Sequence, residues 1–326
     1  MYESSLGVVG YKKIRDKIMK RIFAAITLAL AIATSINAED RSLEFSFGDI
    51  KSITAGNAYA YTFEIHVTKG RSHNVEIVYD TEIEKDIKDF DKYLKLEYSH
   101  GKASLTLGMD EPPKKFGRLK FTGRRSPIRV YLEMDDLEKI DLSGASVIYF
   151  DGNFTSESFE ADMSGATKFG NMLHLNGKSL SLDCSGAAKA MLSGNFKTID
   201  IDLSGATNFS FTGSADEFKG DLSGASKLNC NGEYKNCELE CSGGVSVEMQ
   251  GSGDSISLEC SGACKVDAKD FSTKKAYVEL SGACNTKIQT SDELKYDVST
   301  TSKLVYYGSP KIIDLSEDRN VIQGVM

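Results

Sequence analysis

Nine carboxylates recur at one fixed place in the second half of the chain: Asp141, Asp162, Asp183, Asp202, Asp221, Glu240, Glu259, Glu279 and Asp297. Each stands two residues ahead of a Ser-Gly-Ala tripeptide or a close copy of it. Stacked acids suggest a ladder of oxygen ligands for a hard cation, Ca²⁺ above all. Paired carboxylates could also act as acid and base on a glycoside, but here no pair is distinguished from the others. The plainer alternative is that each accepts hydrogen bonds at its own turn, as Asp commonly does. Unit charges ~5 Å apart repel by about 1 kcal/mol in water and several-fold more near a protein surface. Something must offset that repulsion. Lys168, Lys189, Lys227, Lys265 and Lys303 follow four residues after the serines, but the corner between should turn them onto another face.

Two other groups of residues could do chemistry. The segment containing Lys114, Lys115, Arg118, Lys120, Arg124 and Arg125 is the one basic cluster of an acidic chain. It reads as a solvated loop or as a docking patch for an anionic glycan or lipid head group. Seven cysteines invite a disulfide framework if the chain is exported. Their register favours a role as small core hydrophobes, with Cys241/Cys260 and Cys264/Cys284 each one repeat apart and near enough for a strained bridge. No His lies among them, so a thiolate metal site is not expected, and no motif asks for a cofactor.

The positioning element is the repeat itself. Ser-Gly-Ala or a variant starts at Ser143, Ser164, Ser185, Ser204, Ser223, Ser242, Ser261 and Ser281, with a worn copy at Ser299, in steps of 18 to 21 residues. Counting from each Ser, odd offsets are apolar: Leu203, Ile201, Phe209 and Phe211 around Ser204, for example. Even offsets are mostly polar. That is a period of two, the mark of short strands with one buried face. Gly follows every good Ser, and a second Gly often falls nine residues on, as at Gly194, Gly213, Gly232 and Gly251. Two glycine corners per repeat describe one coil of a solenoid. The expected fold is all-β: a single-stranded right-handed parallel β-helix of about nine coils, the left-handed hexapeptide type being the alternative.

The remainder frames this core. Lys20 and Arg21, the apolar run Ile22–Ala33 and the small residues ending at Ala38 read as a signal peptide starting at Met19. That run is too short to span a bilayer, and no other long apolar stretch follows. Residues 39–133 alternate in several stretches and should form a β-rich cap, with a short helix near Glu84–Tyr93 and a hairpin tip at Tyr98–Lys102. Residues 134–308 hold the repeat, and 309–326 the opposite cap. A net charge of −8 argues against nucleic acid, whose phosphates need a basic footprint.

The repeated Asp-Leu-Ser-Gly-Ala-Ser and Asp-Leu-Ser-Gly-Ala-Thr coils resemble the bacterial family of auto-transporter adhesin head GIN domains. So do Phe47-Gly48-Asp49-Ile50, Phe63 to Gly70 and the closing Ser302 to Pro310. The resemblance covers roughly residues 44 to 316. It implies a right-handed β-helix on an exported protein and carries over no catalytic residues. Many members have a lipoprotein cysteine after the signal, which this chain lacks. The expectation is a non-enzymatic surface or periplasmic module whose partner is an envelope glycan or a surface protein. A carbohydrate-active enzyme is the rival, but coils this short leave no loops to wall a cleft, and His66, His73, His100 and His174 are scattered.

Overall fold

A computed structural model describes residues 40–56, 61–80, 90–110, 126–316 and 321–325. The leader, most of the expected helix and the whole basic cluster lie outside the described residues. The chain forms two compact units, 1–152 and 153–326.

The first unit holds β1 (Asp40–Ser46), β2 (Ser52–Ala55), β3 (Phe63–Lys69), β4 (Asn74–Asp80), β5 (Leu94–Ser99), β6 (Ser104–Met109), β7 (Ile128–Met134), β8 (Lys139–Leu142) and β9 (Val147–Asp151). They pair in two series. One runs β1-β4-β7-β3-β9, antiparallel as far as β7 and parallel beyond it. The other runs β5-β6-β2-β8, antiparallel only at β5–β6. Alternation decides what each strand buries: Phe63, Ile65 and Val67 of β3 and Ile128, Val130 and Leu132 of β7 lie inside. The expected hairpin tip is the β5–β6 turn, a 3₁₀ turn at His100–Lys102 closed by Ala103 in the left-handed region. Phe90–Lys92 is likewise a 3₁₀ turn, and Phe90 is buried.

The second unit is a parallel β-solenoid. Its strands are β10 (Asn153–Met163), β11 (Lys168–Phe169), β12 (Leu173–Cys184), β13 (Lys189–Leu203), β14 (Asn208–Leu222), β15 (Lys227–Gly243), β16 (Ser246–Ser252), β17 (Ser255–Gly262), β18 (Lys265–Leu280), β19 (Asn285–Val298), β20 (Lys303–Tyr307), β21 (Lys311–Asp314) and β22 (Val321–Val325). Successive coils lie in register, so Leu203 of β13 pairs with Leu222 of β14, and that residue with Cys241 of β15. Near the end, β21 and β22 stack in parallel on β19 and β20. Register slips around β18, at Glu248/Gln250 and again at Ala268/Ser272 and Thr273/Lys275.

The odd-offset residues form the interior. All seven cysteines are buried and free, in the places where other coils put Leu, Phe, Ala or Thr. Cys241 and Cys260 are register partners in adjacent coils. The Sγ atoms of Cys264 and Cys284 lie 3.1 and 3.2 Å from the carbonyls of Ser261 and Ser281. Ser226 makes the same contact to Ser223 through its hydroxyl at 2.9 Å. Burial pushes the thiol of Cys184 up to about 12 and that of Cys264 up to about 11. Thiolate is the reactive form. Native protein in iodoacetamide at mildly alkaline pH is therefore expected to take up essentially no label until it unfolds, and then seven. Rapid native labelling, or a deficit of two after unfolding without reductant, would contradict this arrangement.

Candidate functional site

The strands bring eight of the nine predicted acids into one column on the second unit. Register pairs join Asp162 to Asp183, Asp183 to Asp202, Asp202 to Asp221, and Asp221 to Glu240. Glu240 then pairs with Glu259, Glu259 with Glu279, and Glu279 with Asp297. Asp141 lies in the first unit, in register with Thr54. From Asp183 onward the column is exposed. A shallow open groove of about 410 Å³ runs along it, lined by carboxylates from Asp202 to Glu279 and by the repeat serines Ser223, Ser242, Ser261 and Ser281.

From Asp183 onward the turn-capping expectation fails. Among the described residues, no hydrogen bond or ion pair reaches the carboxylates of Asp183, Asp202, Asp221, Glu240, Glu259 or Asp297, and only the Tyr277 hydroxyl donates to Glu279, at 3.0 Å. The reason is that the corner's amides are already used. Ser185 N donates to Met163 O of the preceding coil and Ala187 N to Gly165 O, and the same bonds recur upward. Pleating meanwhile aims the acid outward before the chain reaches the corner. The column lysines sit past that corner, at the starts of β11, β13, β15, β18 and β20, and among the described residues none pairs with the acids. Among the described residues no three His, Cys, Asp or Glu side chains converge to hold a metal ion.

From Asp183 onward the column is thus a line of carboxylates with no cation paired to them among the described residues. Partial burial, then the charges of Asp183, Asp221 and Asp200, raise the Asp202 carboxyl above its ordinary value. The folded state then holds that proton more tightly than the unfolded chain does. This site therefore favours folding at acid pH and loses that contribution as pH rises through its folded-state value. Asp202→Asn is expected to raise Tm near neutral pH, with a gain that shrinks toward pH 4. The gain should also fade at about 1 M salt, where the screening length is ~3 Å. A lower Tm near neutrality would show instead that the column is held by an attraction.

The sequence matches the family described as putative auto-transporter adhesin, head GIN domain, over residues 58–214 and 201–310. The chain belongs to this family. No curated protein matches it in sequence. A crystal structure described as a putative adhesin from Parabacteroides distasonis is 12% identical with a TM-score of 0.49, covering 89% of this chain and 98% of the other. One so described from Parabacteroides merdae is also 12% identical, with the same coverage and a TM-score of 0.45. One described as a putative lipid binding protein, again from Parabacteroides distasonis, is 15% identical at equal coverage and a TM-score of 0.40.

The head GIN domain carries a second feature, which the linear sequence hides. On the outward face of β1-β4-β7-β3-β9, register places Glu44, Glu76, Tyr131, His66 and Tyr149 in one row. His66 is stacked between two tyrosines, its ring centroid 4.9 Å from that of Tyr131 and 5.0 Å from that of Tyr149. Its Nε2 is 2.9 Å from a carboxylate oxygen of Glu64. His66 reads as isolated in sequence because its neighbours arrive from strands more than sixty residues apart. The usable signal is weak: single outward aromatics on otherwise polar strand faces.

Proposed function

We propose that the chain is an exported, non-catalytic module of the cell envelope that works by binding. The observation that carries this reading is membership of an adhesin-type family across residues 58–214 and 201–310. Several features support it. The leader ending at Ala38 has the order of charge, apolar run and small residues that export requires. Among the described residues no helix is long and apolar enough to cross a membrane. The solenoid repeats each polar residue coil after coil, so its outer faces suit extended contact, whereas catalysis needs one group set apart from its copies.

External protease treatment of cells making an epitope-tagged chain tests the placement. Cleavage in intact cells supports a surface module, and protection with recovery in the cytosolic fraction overturns it. Incubation with a polysaccharide panel tests the chemistry. Release of reducing ends, lost on Asp202→Asn or Asp221→Asn, would replace the binding reading with a glycoside-cleaving one.

A further inference from the structure

The outward face of the first unit carries a groove whose chemistry is specific enough to name an occupant class. It is open, about 480 Å³, and bordered by Tyr131 with Glu76, Asn74, Ser46, Thr68 and Glu133 among its walls. Tyr131 is the end ring of the aromatic stack. His66 covers one of its faces, and the other points toward β4 and the groove. At 39% exposure it is one of the three large apolar side chains of the described chain that remain open to solvent. A single aromatic face ringed by polar atoms is the arrangement that recognises a flat, partly apolar, hydroxyl-rich ring.

The polar groups narrow the class. The Ser46 and Thr68 hydroxyls and the Asn74 side-chain amide make no hydrogen bond among the described residues. Ser46 and Asn74 face each other across β1 and β4, and Thr68 and Glu133 across β7 and β3. Glu76 accepts a bond from the Ser42 hydroxyl at 2.6 Å, and Glu133 one from the Ser72 amide at 3.1 Å. Each carboxylate keeps acceptor capacity beyond that bond. Among the described residues no Lys or Arg lines the groove. Lys69 and Arg71, beyond the Glu133 end, are held by Asp135, each at 3.2 Å, and Arg129, two residues before Tyr131 on the same face of β7, is not part of the lining. An anionic sugar or lipid phosphate would meet three carboxylates, Glu44, Glu76 and Glu133, and no counter-charge. Apart from Tyr131, the apolar residues of the lining, Phe45, Val75 and Leu132, are buried and offer an acyl chain little surface.

We propose that this groove is a binding subsite for an uncharged pyranose unit of a glycan, stacked on Tyr131 and hydrogen-bonded by Asn74, Thr68, Ser46, Glu76 and Glu133. The proposal rests on the binding reading above and gives it a ligand class. A cationic peptide is the competing occupant, since lysine also suits an aromatic face beside carboxylates. The groove favours the sugar because its unpartnered hydroxyls and amide must donate as well as accept, and a sugar hydroxyl can take those donors whereas an ammonium cannot.

The test is retention of the full chain on immobilised neutral, N-acetylated and uronic-acid-containing oligosaccharides, with oligolysine and crude envelope fragments alongside. Retention on at least one uncharged glycan is expected. It should weaken ~10-fold or more in Tyr131→Ala and several-fold in Asn74→Ala or Thr68→Ala, as losses of a stacking anchor and of single hydrogen bonds do. Tyr131→Phe should keep most of it. Should Tyr131→Ala melt early, Asn74→Ala and Thr68→Ala carry the test. Failure of every uncharged glycan, indifference to all three variants, or retention on oligolysine or acidic glycans alone overturns the subsite. Envelope fragments separate the two claims: binding to them that ignores these variants removes the groove but keeps the module, and silence there as well removes both.

Discussion

Replacing Gly213 by Ala should leave little folded protein, whereas Gly144→Ala should be only mildly destabilising. Both glycines have positive φ, 151° and 74°. Their surroundings differ. A Cβ on Gly144 would meet nothing within 4 Å, so only the left-handed backbone is at stake, about 1–2 kcal/mol. A Cβ on Gly213 would fall 1.8 Å from the Gly194 carbonyl oxygen and 2.8 Å from its carbon. Neither atom can retreat. Gly213 is clamped in register between Gly194 below and Gly232 above, and the coil spacing is set by hydrogen bonds at ~4.8 Å. The same clash recurs up the column: 1.6 Å at Gly194, 1.7 Å at Gly232 and 1.9 Å at Gly251. A loss above about 4 kcal/mol is expected for Gly213→Ala, which belongs to the rare severe class. Denaturant unfolding of the two variants checks it. Equal losses would mean that φ alone, and not coil stacking, selects glycine.

That second glycine column shows why the repeat was readable from sequence. Gly152, Gly194, Gly213, Gly232, Gly251 and Gly308 recur nine residues after the serine, and all six have positive φ. In a solenoid one residue's environment is its own copy a coil away, so one-dimensional spacing reports three-dimensional contact. Inward cysteines and outward acids followed from parity alone. What the acids do with their lone pairs did not follow, because the corner amides bond to the coil below and that pairing is invisible in a single repeat. The first unit lacks the advantage altogether. Its strands β3, β7 and β9 alternate visibly, yet nothing in the sequence says that His66 will lie between Tyr131 and Tyr149. Long-range pairing without repetition leaves no periodic trace, and the candidate sugar subsite is built from such pairing.

Phe211→Ala should cost about 3–5 kcal/mol, and its partner in the next coil decides how much is recoverable. Phe211 is 1% exposed, and its ring centroid lies 6.1 Å from Phe196, 6.4 Å from Phe209, 6.3 Å from Phe218 and 6.0 Å from Tyr234. Those rings come from three successive coils, so one truncation opens space against all of them. Along its own column the order is Leu192, Phe211, Cys230 and Met249. Like does not stack on like here. A large ring lies beside a small thiol, and the pair together fills the layer. Cys230→Leu alone should therefore overpack, at about 1–3 kcal/mol. In the Phe211→Ala background the same change should recover part of the loss, since the added methyl groups enter the vacated volume. The two substitutions touch one void, so their effects should depart from additivity by more than about 0.5 kcal/mol. A double-mutant cycle in urea measures this directly. Additive losses would mean that each coil packs independently of its neighbour's side-chain volume, and that the stack is held by its backbone ladder alone.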